Sequence, residues 1–167
     1  MKPYIITEDA YREAKNYQDA IYKTSTMKKD NYTRLSAENR YLNGWIGEWG
    51  FKQFLDESEI KYQHNLRTDG KPDNGDFIIG GKIIDVKTAS KSFHRKLLVS
   101  EIQYQKHRSD FFVGVRINGE FVEVFGFITY VEMSKKIKMD FGYGIPVLSI
   151  DLFELKPIEE LTYALAA

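Results

Sequence analysis

Fifteen consecutive residues decide how this chain is read: Asp73-Asn74-Gly75-Asp76-Phe77-Ile78-Ile79-Gly80-Gly81-Lys82-Ile83-Ile84-Asp85-Val86-Lys87. Two glycines between short β-branched runs mark a two-residue hairpin turn, because glycine alone takes positive φ at no steric cost. With Gly80-Gly81 at the tip, Ile79 faces Lys82, Ile78 faces Ile83, Phe77 faces Ile84 and Asp76 faces Asp85. Directly opposed residues have Cβ atoms about 4.5–5.5 Å apart on one face of the sheet. Two carboxylates placed so close repel unless a cation lies between them. Lys87 follows Asp85 by two residues and shares its face, while Ile84 and Val86 point the other way into a core.

Two carboxylates and an ammonium at a hairpin end suit phosphodiester hydrolysis. Paired carboxylate oxygens are natural ligands of Mg²⁺, which keeps several waters and bridges substrate phosphates. The metal lowers the pKa of a bound water and neutralises charge growing on the phosphorus oxygens. A lysine beside it can orient or deprotonate that water, or stabilise the pentavalent phosphate.

Working outward, Leu42, Ile46 and Trp49 recur at helical spacing, with Trp45 and Leu55 nearby. Ser36 is a candidate cap for this helix. It also carries Gly44, Gly47 and Gly50, each costing up to about 1 kcal/mol of helix propensity against Ala, so a neighbouring backbone is expected to pack tightly on it. Glu48 sits among these glycines, where a pair with Lys52 at i+4 is the plain alternative to a role in the site. Downstream, residues 82–108 hold seven basic residues against Asp85 and Glu101. In a chain of zero formal net charge, that is a local patch where substrate phosphates would lie, and phosphate contacts dominate nucleic-acid affinity.

At these residues the chain resembles the PD-(D/E)XK nuclease superfamily, the restriction-endonuclease-like fold. Asp76 matches the first acid, Asp85-Val86-Lys87 matches acid-x-Lys, and Gly47-Glu48 matches the acid of the preceding helix. The literal Pro-Asp, Pro72-Asp73, comes three residues early. Asp76 is preferred because it is in register with Asp85, and Asp73 reads as a turn former. The resemblance covers residues 44–116 at the level of motifs. It implies that Asp76 and Asp85 bind Mg²⁺, with Mn²⁺ able to substitute, and that Glu48 binds it directly or through water. The Val86 carbonyl would be a further ligand, and Lys87 would serve the attacking water. DNA is the implied partner, and the resemblance adds Gln105, a polar residue of the following helix; the basic run itself, read from its charge, offers Lys91, His94, Arg95, Lys96, Lys106 and Arg108 as contacts. A homodimer would place two such sites on two strands.

The rest of the chain supplies the frame. Thr7 can cap a helix starting with Glu8 and Asp9, and Tyr11, Ala14, Gln18 and Ile21 follow at helical spacing. Residues 23–33 read as a loop, 60–66 as a half-buried strand and 67–74 as a turn-rich loop. Ser100-Glu101-Ile102-Gln103 fits a capping box for a helix to about residue 109. Strands 111–117 and 120–128 flank Asn118-Gly119, a type I′ signature. A short helix is expected over 129–137 and a last strand, or edge, over 147–152. The fold class is therefore α/β: one domain over residues 1–167, with a mixed central sheet of about five strands flanked by helices. Residues 1–35 read as an N-terminal helical extension and 36–128 as the catalytic core.

The 167 residues contain no cysteine, which removes disulfides, zinc ribbons, thiol nucleophiles and iron–sulfur clusters. No P-loop, dinucleotide motif or close-spaced histidine pair occurs; of His64, His94 and His107, His94 is the one placed to touch DNA. There is neither an apolar leader nor a run long enough to span a membrane. The expected location is the cytoplasm, or the host cytoplasm for a phage-encoded chain. The expected activity is Mg²⁺-dependent endonucleolytic cleavage of DNA by metal-activated water. A non-catalytic nucleic-acid-binding or assembly module with the same fold, and a nuclease acting on RNA, are the alternatives.

Overall fold

The computed structural model describes residues 1–24, 34–66, 75–106, 108–140 and 146–166, without the side chains of residues 22–24, 34–39 and 106. Residues 23 and 24 of the expected loop over 23–33 are helical; the rest of that loop, the expected loop over 67–74 with Asp73, and His107 lie outside the described residues, as does the side chain of Lys106. In chain order the elements are β1 (Lys2–Ile5), α1 (Glu8–Thr24), α2 (Arg34–Glu57), β2 (Gln63–His64), β3 (Phe77–Ile79), β4 (Lys82–Ala89), β5 (Lys96–Ser100), α3 (Glu101–Lys106), β6 (Phe111–Asn118), β7 (Phe121–Thr129), α4 (Tyr130–Met133), β8 (Ile137–Met139), β9 (Val147–Asp151), β10 (Lys156–Pro157) and α5 (Leu161–Ala166). Single 3-10 turns lie at Leu152–Glu154 and Ile158–Glu160.

The main sheet runs β1-β7-β6-β4-β3-β2, with β10 also pairing on β7. The β4–β6 pair is parallel and the other pairs in this sheet are antiparallel, so the sheet is mixed, as expected. It holds seven strands rather than about five. The additions are β1 and β10, short edge pieces from the two ends of the described chain whose sequences carry too few residues to show a period. A second sheet, β5-β9-β8, lies apart from it. Its strand β9 is central there and not an edge. Lys96 opens β5.

One face of the main sheet carries α1 and α2. Ile84, Val86, Val113, Val115, Val122 and Val124 pack there against Trp45, Ile46, Phe51, Phe54 and Leu55. The other face is closed by the second sheet and by α3 and α4, through Leu97, Val99, Phe112, Phe125, Ile128, Met133, Leu148 and Ile150. Helices thus flank the mixed sheet on both faces.

Local chemistry explains the element ends. The Thr7 hydroxyl accepts from the Ala10 N–H at 3.1 Å, which caps α1. The buried stripe of α1 is Ala10, Ala14 and Ile21. Ala14 and Ile21 are buried as expected and Gln18 is half-buried, but Tyr11 is exposed and Ala10 takes its place on the buried face. Ser36 is inside α2 and not its cap. Gly80 and Gly81 both have positive φ, as a type I′ turn requires. In the second hairpin Asn118 pairs with Phe121, so the turn residues are Gly119 and Glu120. Only Gly119 has positive φ, the pattern of a type II′ turn with glycine first. The Asn-Gly signature therefore marked the hairpin but misplaced its turn by one residue. At residue 100 the Ser100 hydroxyl accepts from the Gln103 N–H, yet α3 stops at Lys106 and does not reach 109. The full capping box is at Thr129 and Glu132, at the start of α4.

Candidate functional site

Strand β3 ends against Ile84 of β4, so from Asp85 onward that edge of β4 has no β3 partner, while the other edge pairs with β6. Asp76 sits one residue beyond the β3–β4 ladder, at this open edge. Its N–H donates to the Ile84 carbonyl at 2.9 Å, and its own carbonyl accepts from the Asn65 N–H at 2.8 Å. Gly75 precedes it at φ 93°, and a Cβ there would overlap the Ile83 side chain. Only glycine can deliver Asp76 to this position. The Asp76 carboxylate then turns along the sheet edge and accepts the Val86 N–H at 2.6 Å. The expected Asp76–Asp85 ladder pair is replaced by this side-chain bond. An extended residue directs its N–H and C=O to the same side, so the Val86 carbonyl also points to this edge.

Ile84 and Val86 belong to the α2 side of the sheet. By alternation Asp85 and Lys87 take the other face, shared with Ala89 of the second core. Their side chains form an ion pair of 2.8 Å, only 14% and 19% exposed. Glu48 arrives from the α2 side. It can do so because α2 lies very close to β4: a Cβ on Gly47 would overlap Thr88 Oγ1 and stand 2.8 Å from a Val115 methyl. Glu48 does not pair with Lys52, whose ammonium is bonded to Asp56 at 2.8 Å. Its partner is His64 of β2, with Nε2 2.9 Å from Glu48 Oε2, and both side chains are largely buried. The His64 ring stacks flat on Phe77 at 4.3 Å. The sequence holds no signal for this pair, since its members are 16 residues apart on different elements and only the approach of α2 to β2 joins them.

Electrostatics tie the three acids together. Burial drives the Asp76 carboxyl well above the usual carboxylate range, and the Glu48 and Asp85 carboxylates push it further the same way. The Lys87 ammonium and the Val86 N–H act in the opposite sense. Acids from α2, from the residue before β3 and from β4 therefore share one environment with a lysine. Among the described residues, no three His, Asp or Glu groups close into a ready ligand cage; each acid is held by a protein group, His64, Val86 or Lys87.

A cleft of about 630 Å³ opens beside Lys87. Of the basic residues expected to touch nucleic acid, His94, Arg95 and Lys96 line it together with Lys87. Lys91 is exposed next to it, its ammonium 5.6 Å from the Phe93 ring centre. Arg95 is 3.5 Å from Asp151 and stacks over Phe153. Among the described residues, Gln105 and Arg108 are exposed outside the lining of this cleft. Exposed Phe93 also lines it, a contribution that a reading by charge alone overlooks.

No protein-family model, curated protein or solved structure matches this chain.

Proposed function

We propose that this protein is a metal-dependent nuclease of the PD-(D/E)XK kind, with a restriction-endonuclease-like core and DNA as its substrate. The observation that carries the reading is the shared environment of Glu48, Asp76 and Asp85 around Lys87, in which two neighbouring carboxylates and burial hold Asp76 far from its usual pKa. Perturbed acids at a sheet edge beside a basic cleft are the mark of a functional centre. The donor set fits a hard divalent cation: carboxylate oxygens of Glu48, Asp76 and Asp85 and the Val86 carbonyl, all oxygen and mostly anionic. Positive charge at that point would offset the repulsion among the acids.

When bound, Mg²⁺, or Mn²⁺ in its place, supplies acidification of a water and neutralisation of charge on the scissile phosphate. The chain's own residues do the rest. Asp76 is fixed by the Val86 N–H, and Glu48 by His64, so the acids are oriented before substrate arrives. Lys87, positioned by Asp85, orients the attacking water or meets the developing negative charge on phosphorus. His94, Arg95 and Lys96 hold the phosphates leading into the site. A homodimer would address the two strands of a duplex with two such centres.

A second reading is favoured by one observation: every acid of the centre already has a protein partner, and no three of them form a cage. That state suits a module that binds nucleic acid without cutting it. Cleavage assays separate the two. Purified protein with Mg²⁺ or Mn²⁺ is offered single-stranded, duplex and branched DNA and RNA. The nuclease reading expects metal-dependent cleavage of DNA that drops about 100-fold or more in Lys87→Ala and Asp85→Asn, with the Tm of each variant showing that it is folded. Cleavage unchanged in both variants overturns the assignment, and binding without cleavage of any substrate selects the module.

A further inference from the structure

The loop between β4 and β5 carries a phenylalanine in an unusual setting. Phe93 is 71% exposed. A single exposed apolar residue needs no explanation, but Phe93 is not isolated. The Lys91 ammonium lies 5.6 Å from the centre of its ring, and the His94 ring meets it edge-on at 4.9 Å. It stands at the cleft of about 630 Å³ that begins at Lys87 and continues past Leu97 and Leu98. That volume falls in the range of sites that enclose a small ligand, about 300–1,000 Å³. The cleft thus combines an apolar floor, one open aromatic face and a cationic rim, and it adjoins the candidate catalytic lysine.

A nucleotide with an unstacked base has the matching chemistry. Its base is a flat π-face, and its phosphate is an anion. In duplex DNA the base faces are already occupied by their neighbours, and an aromatic ring can reach them only after unstacking. Proteins that hold single strands combine a positive groove with aromatic side chains on which bases stack. We infer that Phe93 is a stacking platform for an unpaired base, and that the cleft selects polynucleotide with a single-stranded segment next to the cleaved phosphate. The inference deepens the proposed function and rests on it.

The test is direct binding in EDTA, read by fluorescence anisotropy of labelled oligonucleotides, so that cleavage plays no part. Single-stranded DNA, single-stranded RNA and the duplex of the same sequence are compared on wild type, Phe93→Ala and Phe93→Trp. The exposed position lets both variants fold, which a Tm measurement checks. Wild type is expected to bind one of the single strands more tightly than the duplex, and the two single-strand arms identify the sugar. Phe93→Ala is expected to lose about 5- to 150-fold on that strand, the cost of one stacked base, with less than a twofold change on duplex. Phe93→Trp should keep wild-type binding. An equal loss on single strand and duplex, or no loss on either, overturns the stacking role. If wild type cleaves or binds nucleic acid while Phe93→Ala behaves as wild type, the inference alone falls. If wild type neither binds nor cleaves any polynucleotide, the nuclease reading falls with it.

Discussion

Glu132 ties the start of α4 to β10. Its carboxylate accepts from the Thr129 N–H and hydroxyl at 3.1 and 2.8 Å, and the Lys156 ammonium lies 2.7 Å away. Chiefly through Lys156, and further through Thr129, its pKa falls to about 2. A carboxyl depressed in the folded state stabilises the fold above its usual value near 4.5, and that contribution disappears as pH falls from there through about 2. Both partners are more than a third exposed, so solvent screening limits the pair to about 0.5–1 kcal/mol. Glu132→Gln should therefore lower Tm at pH 7 by about 1–4 °C, and thermal melts should show the gap from wild type closing below pH 4.5. Asp76 is the opposite case. Its carboxyl is raised, chiefly by burial, which opposes folding at neutral pH. At this scale the sequence was legible where residues are near neighbours. Asp85 and Lys87 share a face by alternation alone and do form a pair. Glu48 and His64 belong to elements far apart in the chain, and no local pattern joins them.

The glycines of α2 illustrate what an element's sequence reveals. Their cost in helix propensity implies close contact with another backbone; Gly47 and Gly50 are indeed tightly packed, but against side chains, Thr88 of β4 and Val115 of β6 for Gly47 and Val122 of β7 for Gly50. Gly44 differs, since a Cβ there meets nothing within 4 Å. The two substitutions should act in opposite directions. Gly47→Ala forces α2 away from Thr88 and Val115, at about 1–3 kcal/mol of overpacking. Gly44→Ala gains up to about 1 kcal/mol of helix propensity. Chemical denaturation should place the first variant's midpoint below wild type and the second's above it, and a common direction would refute this packing account. On the proposed nuclease reading, Gly47→Ala should also impair cleavage, because the same contact carries Glu48 to the sheet edge. The hairpin at Gly80-Gly81 was readable because turn chemistry is local. Strand β5 was not, because five residues ending in a helix cap show little alternation, and pairing with β9 makes them a strand.

Across the whole molecule charge cancels, with 24 basic and 24 acidic residues, yet the cleft beside Lys87 gathers His94, Arg95 and Lys96. Binding of a polynucleotide there should depend on a few local contacts. Each neutralised phosphate on a single strand adds about −0.7 to the slope of log K against log salt. Three or four contacts predict a slope of about −2 to −3. Anisotropy titrations between about 50 and 300 mM salt measure it, and a flat line would remove the cleft from consideration. No helix among the described residues is long and apolar enough to cross a membrane. By itself the sequence determined the glycine-tipped hairpin, the alternation that separates Asp85 and Lys87 from Ile84 and Val86, the α/β class and the basic run, because each follows from backbone periodicity over a few residues. Tertiary structure alone decided that Asp76 leaves the ladder to bond Val86, that Glu48 meets His64, that strands from both ends join the main sheet and that a second sheet closes its far face. Those arrangements depend on which buried surfaces fit one another, and close packing is a property of the assembled core that no single stretch of chain contains.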